Sequence, residues 1–429
     1  MSNYSAIVAK VDSVIAIPNA DRIQIGKVLG ESVVISKDIE VGYVGVFFCT
    51  GIQLSEAFCH NNNLFRDKNK NLDPEKSGFF EPNRNVRAQP FLGCKSQGYF
   101  AALDSLAFTG DISKLKVGDK FEELNGVGIC KKYENERQLR AKANTQTKAV
   151  KKNSVPFFKE HIETSQFKYC VGELQKGDLV SIQSKRHGTS QRVGYLNVIK
   201  TLPKWKEWIN KFLPVFPTSG YDYVVGTRRV ILDSPEKEGF RGSEGYRFEI
   251  AEKLKPYLTK GMTLYIEVVG WANGKPIMSK HSTKALKDKA FQKKYGDEIV
   301  YKYGALEGEN KFHIYRITLT TEDGTCIDFT QAQLVQWCKD RGLDPAYDVV
   351  EPFIYDGNEE ALRTLVESLT ERPEVLTEDY HDASHISEGV IVRVDRGTTT
   401  PLFFKSKSHA FKVAEGIASE EVVDVEDIS

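Results

Sequence analysis

Over the first 130 residues apolar and polar positions alternate in short stretches. Ser5 to Ile17 alternates roughly by two, Arg22 to Ser36 reads as a hairpin turned at Gly30, and Val41 to Cys49 is strongly strand-forming. Gly, Asn and Pro break these stretches often, which predicts a small β-barrel or sandwich. From His60 to Arg87 the periodicity fades into polar residues such as Asn61, Asn62, Asn63, Lys68 and Lys70, and predicts a long barrel loop. From Val155 onward strands and helices alternate without a regular strand–helix–strand rhythm, so an α+β class fits better than a doubly wound sheet. Strands are predicted at Asp178 to Lys185, Arg192 to Thr201, Gly261 to Val269, Phe312 to Thr320 and Gly389 to Val394, with a helix over Phe248 to Leu258. The run Lys204-Trp205-Lys206-Glu207-Trp208 and the Lys-rich helical span Lys280 to Lys294 read as insertions.

Composition narrows this picture. A chain of 429 residues, 40% hydrophobic and 28% charged, can bury a real core in two or three domains. Lys plus Arg and Asp plus Glu balance at 59 each, but the charge is segregated. Glu420, Glu421, Asp424, Glu426 and Asp427 crowd an acidic tail, so the rest of the chain is net +5. Between Lys131 and Lys152 eight basic residues (Lys131, Lys132, Arg137, Arg140, Lys142, Lys148, Lys151 and Lys152) face only Glu134 and Glu136. This composition suits either a solvated connector or a surface that tracks phosphates. It divides the chain into a front domain at 1–130, a basic linker at 131–154 and a main domain at 155–429 with the acidic tail at 420–429. No stretch of 18 apolar residues exists to span a membrane, and the amino terminus lacks a signal-peptide layout. Seven cysteines with no C-x-x-C pair argue against a disulfide scaffold or zinc ribbon and predict a reducing, cytoplasmic setting.

The informative string is Leu179-Val180-Ser181-Ile182-Gln183-Ser184-Lys185-Arg186-His187-Gly188-Thr189-Ser190, a buried strand ending on a lysine and a tight glycine turn. K-x-x-G alone is weak; it recurs elsewhere, at Lys95, Lys293 and Lys339 among others, without the same neighbours. Downstream of Lys185 come Thr227-Arg228-Arg229, then Tyr265-Ile266-Glu267-Val268-Val269-Gly270 with a carboxylate inside an apolar strand. Phe312-His313-Ile314-Tyr315-Arg316-Ile317 follows, then Ser387-Glu388-Gly389-Val390-Ile391-Val392 and Phe403-Phe404-Lys405-Ser406-Lys407. Burying Glu267 without a partner is costly, which favours a role for it. Lys405 and Lys407, two apart on a strand, project to one face.

In this order the residues resemble the six collinear motifs of the covalent nucleotidyltransferase superfamily of ligases and mRNA capping enzymes. With histidine inside K-x-H-G the set is most similar to ATP-dependent RNA ligases, among them the nick-sealing kind that carries an amino-terminal OB domain. The turn Ile17-Pro18-Asn19-Ala20-Asp21-Arg22-Ile23 resembles the strand connection of tRNA-binding-type OB folds. The resemblance implies an OB-like nucleic-acid-binding barrel followed by an ATP-grasp-like nucleotidyltransferase domain built on antiparallel sheets, acting as a monomer on RNA with nicked or base-paired ends. It implies Lys185 as the nucleophile that takes AMP from ATP, with Lys405 and Lys407 holding phosphates. A free lysine amine has a pKa of about 10.4, so neighbouring cations that favour its neutral form would help it attack. Glu267 and Glu388 are implied ligands of Mg²⁺ or Mn²⁺, and Glu267 also a nucleotide contact. Arg228, or its neighbour Arg229, matches the arginine on ribose and phosphate. Tyr315, or Phe312 on the other strand face, matches the aromatic that stacks on adenine. His187 joins the nucleotide-binding set and separates this subfamily from DNA ligases and capping enzymes.

The chain departs from the family in places. Tyr-Arg-Ile at 315–317 stands where many relatives have Phe-Asp-Ile, and the long interval from Lys185 to Arg228 marks residues 203–217 as an insertion. Trp205 and Trp208 within it can stack bases, but their helical spacing favours packing. The span 270–310 reads as a second insertion. The competing readings are a capping-type guanylyltransferase or DNA ligase, and an inactive nucleic-acid-binding protein. Only 22 residues follow Lys407, too few for the OB domain that capping enzymes and DNA ligases usually place there. The intact Lys185, Glu267, Glu388, Lys405 and Lys407 argue against inactivity.

Overall fold

The computed structural model describes residues 4–18, 20–91, 94–134, 155–162, 164–200, 202–236, 238–239, 242–278, 280–284, 289–372, 375–377, 380–381 and 386–414. The basic residues from Arg137 to Lys152 and the acidic tail lie outside them. The chain divides into two compact units, one within residues 1–150 and the other within 151–420.

In the first unit, β1 (Ala6–Lys10), β5 (Val44–Cys49) and β6 (Gly98–Ala102) join the short strand Lys120–Phe121 in an antiparallel sheet. A second sheet is the meander β2 (Ser13–Ala16), β3 (Ile23–Val28) and β4 (Glu31–Ser36). The hairpin predicted at Gly30 forms as a two-residue turn: Val28 pairs with Glu31, and Leu29 and Gly30 both take positive φ. That backbone twist matches the twist of the strands it joins, and glycine adopts it without strain. The expected closed barrel is not seen among the described residues. β4 meets the segment before β6 through separate bonds, Gln97 N–H to Ser32 O at 2.7 Å and Val34 N–H to Ser96 Oγ at 3.0 Å. The Ser96 hydroxyl takes a donor that a ladder would give to a carbonyl, and the ring stays open there. The stretch 60–87, which follows on from the short helix α1 (Glu56–Asn61), is mostly irregular, as expected of a long loop, but it is internally fixed. Asn71 is buried, accepts from Phe65 N–H at 2.9 Å and donates to the carbonyls of Phe65 and Lys76 at 2.9 and 2.8 Å. A side chain that breaks periodicity thus satisfies the backbone of an irregular segment.

The second unit is built on two sheets. One orders the short strand Ser165–Gln166, β15 (Leu402–Lys407), β14 (Gly389–Asp395), β7 (Leu179–Ser184) and β13 (Asp348–Ile354). The other orders Ile231–Leu232, β9 (Ser219–Thr227), β8 (Thr189–Ile199), β10 (Met262–Ala272), β11 (Asn310–Thr320) and β12 (Cys326–Asp328). Among these strands only Ser165–Gln166 pairs in parallel. The architecture is therefore mixed α+β with mostly antiparallel sheets.

The two-residue period of the strands decides what each face does. On β10, Leu264, Ile266 and Val268 pack into an apolar core with Ile314 and Ile317 of β11. Helices α3 (Gly245–Leu254) and α5 (Gln331–Lys339) add Ile250 and Leu334 to it. Tyr265 and Glu267 fall on the opposite face. On the other sheet, Val180, Ile182, Val390 and Val392 pack with Leu362 and Val366 of α6 (Glu359–Thr370).

Both presumed insertions take a form the periodicity misjudged. Helix α2 (Lys204–Phe212) buries none of its residues, so Trp205 and Trp208 do not pack into a core. Among the described residues the Lys-rich span is helical only as α4 (Lys289–Tyr295), while His281–Ser282 pairs as a strand with Glu298–Ile299. The six cysteines whose side chains are described are free thiols. Among the described residues no helix is long and apolar enough to cross a membrane.

Candidate active site

Lys185 begins the loop that leaves β7 in one sheet and enters β8 in the other. Every turn of that loop is held. Lys185 N–H donates to Gly389 O at 2.9 Å, His187 N–H to the Tyr303 hydroxyl at 2.7 Å, and Gly188 N–H to Glu267 Oε1 at 3.1 Å. A Cβ on Gly188 would meet Val268 O at 2.4 Å, so only glycine lets the loop lie against β10. Arg247 of α3 fixes the next turn, donating to Thr189 Oγ1 at 2.8 Å and Ser190 O at 3.1 Å.

The pairing of β7, β14 and β15 brings three charged residues to one end of their sheet. Ser184 lies opposite Val390, and Gly389 opposite Lys407. Lys185 therefore follows β7 where Glu388 precedes β14 and β15 ends. Lys185 Nζ stands 2.8 Å from Glu388 Oε1, Lys407 Nζ stands 3.2 Å from the same oxygen, and His187 Nδ1 lies 3.8 Å from Oε2. Glu388 is 1% exposed. Burial alone would push its carboxyl up, but Lys185, Lys407 and His187 together outweigh that and hold it below the usual carboxylate range. The sequence predicts both cations and acids near Lys185; the strand register delivers Glu388 between Lys185 and Lys407, so a carboxylate rather than a second cation is in direct contact with Nζ. Lys405 lies two residues earlier on β15, partly buried, opposite Ile391 and Gln166, and outside the cavity wall described next.

A cavity of about 490 Å³ opens in front of Lys185, with Glu267, Tyr315, Arg228 and Arg229 in its wall. Glu267 is pushed up to about 7, first by burial and further by the charge of Glu388, against the pull of Lys185 and of Gly188 N–H. Tyr315 reaches the cavity through a β-bulge. Tyr265 pairs with Arg316 and Ile266 with Ile314, so Tyr315 has no partner across the ladder. Its hydroxyl bonds Ser190 Oγ at 2.9 Å. Phe312 instead packs against the apolar core, which separates the two aromatic candidates. Arg316, the departure from Phe-Asp-Ile, brings its own acid from β12, binding Asp328 through Nε at 2.5 Å and Nη2 at 2.9 Å. Both Arg228 and Arg229 are exposed at the rim; Arg229 Nε lies 3.8 Å from Glu160 Oε2. His187 does not wall the cavity. Its ring packs edge-on to Tyr301 and Phe411, with centroids at 4.7 and 4.9 Å.

The acids fit a divalent cation in part. Glu388 Oε2 is a buried carboxylate oxygen with no hydrogen bond, and Glu267 is near enough for the two charges to interact. Among the described residues no group of three His, Cys, Asp or Glu converges on one point. That is the donor set of a Mg²⁺-type ion held by one or two carboxylates and completed by phosphate and water.

Against solved structures the chain is similar to Naegleria gruberi RNA ligase with pyrophosphate. The identity is 15%, the match covers 96% of this chain and 99% of that one, and the TM-score is 0.54. A Lys-to-Met mutant of that ligase with AMP and Mn matches at 15% identity, over 95% and 97% of the two chains, with a TM-score of 0.53. A Lys-to-Ala mutant with ATP and Mn matches at 14% identity over the same shares, with a TM-score of 0.52. The fold is that of an RNA ligase. No family model matches the chain, and no curated protein matches it in sequence.

Within this RNA-ligase fold, four residues given no role by the sequence surround the lysine loop, His161 and His313 in the cavity wall and Tyr301 and Tyr303 behind the loop. His161 packs edge-on to Tyr315 with centroids 5.0 Å apart, and is pushed down to about 3 by burial and then by Arg316, Arg228, Lys185 and Arg393. His313 accepts from Arg186 Nη1 at 3.3 Å and is held well below its usual value by burial and by Arg186 and Lys185. Tyr301 and Tyr303, from the presumed insertion, back the lysine loop. The one sequence signal that pointed toward these residues was the strand period around Phe312 to Arg316, which sets His313 and Tyr315 on one face.

Proposed function

We propose that the chain is an ATP-dependent RNA ligase working through a lysyl-AMP adduct on Lys185. The observation that carries this reading is the Lys185 amine at the wall of a nucleotide-sized cavity, sharing a buried carboxylate with Lys407. Adenine lies against Tyr315, and ribose and phosphates extend toward Arg228 and the lysines.

Lys185 Nζ attacks the α-phosphorus of ATP. The N–P bond forms as the bond to the bridging oxygen breaks, pyrophosphate leaves, and the amine proton passes to solvent. An oxygen of an RNA 5′-phosphate then attacks the same phosphorus and breaks the N–P bond, giving a 5′-adenylylated RNA. A 3′-hydroxyl attacks the RNA phosphorus, loses its proton, and AMP departs as the phosphodiester forms. Each step concentrates negative charge on phosphoryl oxygens, so position and positive charge are the chain's main contributions. The ion pair with Glu388 orients Nζ and must part before the nitrogen can attack. Lys407, bound to the same oxygen, competes for that carboxylate and so favours the parting. Glu267 and Glu388 are the residues to hold Mg²⁺ or Mn²⁺, which when bound neutralises phosphate charge.

The amino-terminal unit engages RNA in this reading, through a cavity of about 750 Å³ whose wall includes Arg22, Phe79, Arg87 and Tyr99. Arg22→Ala with Arg87→Ala then raises the KM for RNA and spares adduct formation; an unchanged KM removes that role.

The deciding experiment incubates the protein with α-labelled ATP or GTP and Mg²⁺ or Mn²⁺ and resolves it on a denaturing gel. A covalent label from ATP that Lys185→Ala abolishes is expected. Label from GTP would indicate capping chemistry, and no label from either nucleotide would indicate a non-catalytic binding protein.

A further inference from the structure

Helix α2 sits at the far end of the β8–β9 hairpin from the cavity. β8 starts at Thr189 on the cavity wall and runs to Ile199, while β9 returns from Ser219 to Thr227 beside Arg228. At about 3.3 Å per residue, the hairpin carries α2 roughly 33 Å from Thr189. The apolar residues of α2 recur at helical spacing and form one stripe. Trp205, Trp208 and Phe212 of that stripe are 58%, 62% and 74% exposed. A contiguous exposed patch of this kind marks an interaction site, whereas single exposed apolar residues need no such explanation.

Cations accompany the rings. Lys206 Nζ lies 5.2 Å from the Trp205 ring and 4.9 Å from Phe216. The pattern recurs along the hairpin on its core face, the one that carries Val193 and Val225 and lies opposite Glu267 and the cavity. Tyr195 and Tyr223 face each other in register and stack at 4.6 Å. Lys255 lies 5.2 Å over Tyr223, and Lys260 lies 5.1 Å over Tyr221. Between residues 200 and 211, Lys200, Lys204, Lys206 and Lys211 face the single acid Glu207.

We infer that this aromatic and lysine surface, centred on α2 at the tip of the hairpin, binds a single-stranded segment of the RNA whose end is joined at Lys185. The inference rests on the ligase reading and gives it a substrate class. Flat rings take bases of any sequence by stacking, and interleaved ammonium groups neutralise the phosphate that accompanies each base. Duplex bases are already stacked on one another, so exposed tryptophans select unpaired ones. A membrane is the poorer occupant: α2 is nine residues long, and its lysines lie against the rings as well as on the opposite face.

The chain supplies its own probe. It has four tryptophans, and Trp271 and Trp337 are buried, so a ligand-induced change in fluorescence reports Trp205 and Trp208. The full chain, without ATP, is titrated with a 5′-phosphorylated single-stranded RNA of about 12 nucleotides, within the usual range of site sizes. Saturable quenching is expected, tighter than for a blunt duplex of equal length. By a mobility-shift assay, Trp205→Ala with Trp208→Ala weakens single-strand binding about tenfold or more. Lys206→Ala with Lys211→Ala flattens the slope of log K against log salt by about 1.4, roughly 0.7 for each lysine. Both pairs leave the AMP adduct at the wild-type level. Unchanged RNA affinity in the tryptophan pair, equal affinity for the duplex, or a fluorescence response to phosphatidylserine vesicles and not to RNA would each overturn the inference. A wild-type protein that forms no adduct yet binds single strands through these tryptophans would instead sink the ligase reading alone.

Discussion

The β8–β9 hairpin has two ends that use charge in opposite ways. At the cavity end, Lys185 and Lys407 share one oxygen of a carboxylate that is almost wholly buried. At the other end, lysines lie over rings in the open, where water and salt screen them. Chemistry at phosphorus needs fixed charges in a dry setting, because each is worth more there and costs no reorganisation during the reaction. Holding a strand of varied sequence needs adaptable charges that let go. The two ends should therefore respond to different variants and different assays.

The largest expected effect is at the cavity end. Lys185→Arg keeps a cation opposite Glu388 but removes the nucleophilic amine, so adduct formation is lost completely on a denaturing gel while the thermal midpoint stays near wild type. Adduct formation by that variant would show that the reacting group lies elsewhere. Next, Glu388→Gln removes the anion between two lysines. Breaking fully buried pairs costs about 3–5 kcal/mol. Here the lysine side chains are 22% and 24% exposed and can turn toward water, so a smaller loss of stability is expected by urea unfolding. The adduct rate should fall about 100-fold or more, since both lysines lose their positioning partner. A rate within a few-fold of wild type would reduce Glu388 to a structural acid.

The smallest effect concerns pH. His161 is held neutral with its pKa pushed down to about 3, whereas the unfolded chain binds a proton at that histidine near 6.5. Acid therefore favours the unfolded chain across the window from about 6.5 down to about 3, and stability falls as the pH drops. His161→Phe keeps ring packing against Tyr315 and removes the titrating group. Between pH 6.5 and 5 it should flatten the loss of stability by on the order of 1 kcal/mol in urea midpoints. Parallel pH profiles for the two proteins would mean that His161 is free to protonate in the folded state.

The candidate site was partly legible in the chain. Lys185, Glu388 and Lys407 could be found because each sits at a strand end with glycine or a second lysine beside it, and strand register then brings strand ends together. Glu267 was legible because an acid in an apolar strand has no cheap burial. Residues that depend on distant partners were not. Arg186 meets His313 from 127 residues away, and His187 N–H meets Tyr303 from 116 away. Nothing local marks such residues, since their neighbours in sequence are ordinary strand and turn residues. The choice between Tyr315 and Phe312 depended on which strand face meets the cavity, and the bulge that frees Tyr315 from the ladder lies in the pairing with β10.

The sequence alone determined the α+β class, most strand positions, the Gly30 hairpin and the order of charged residues after Lys185, because these depend on two-residue periodicity and short-range turn chemistry. Tertiary structure decided that Glu388 lies between Lys185 and Lys407, that the described strands of the front unit do not close into a ring, and that Trp205 and Trp208 face solvent. Each of these outcomes depends on what another segment places alongside, and a side-chain pattern along one strand or helix carries no information about that.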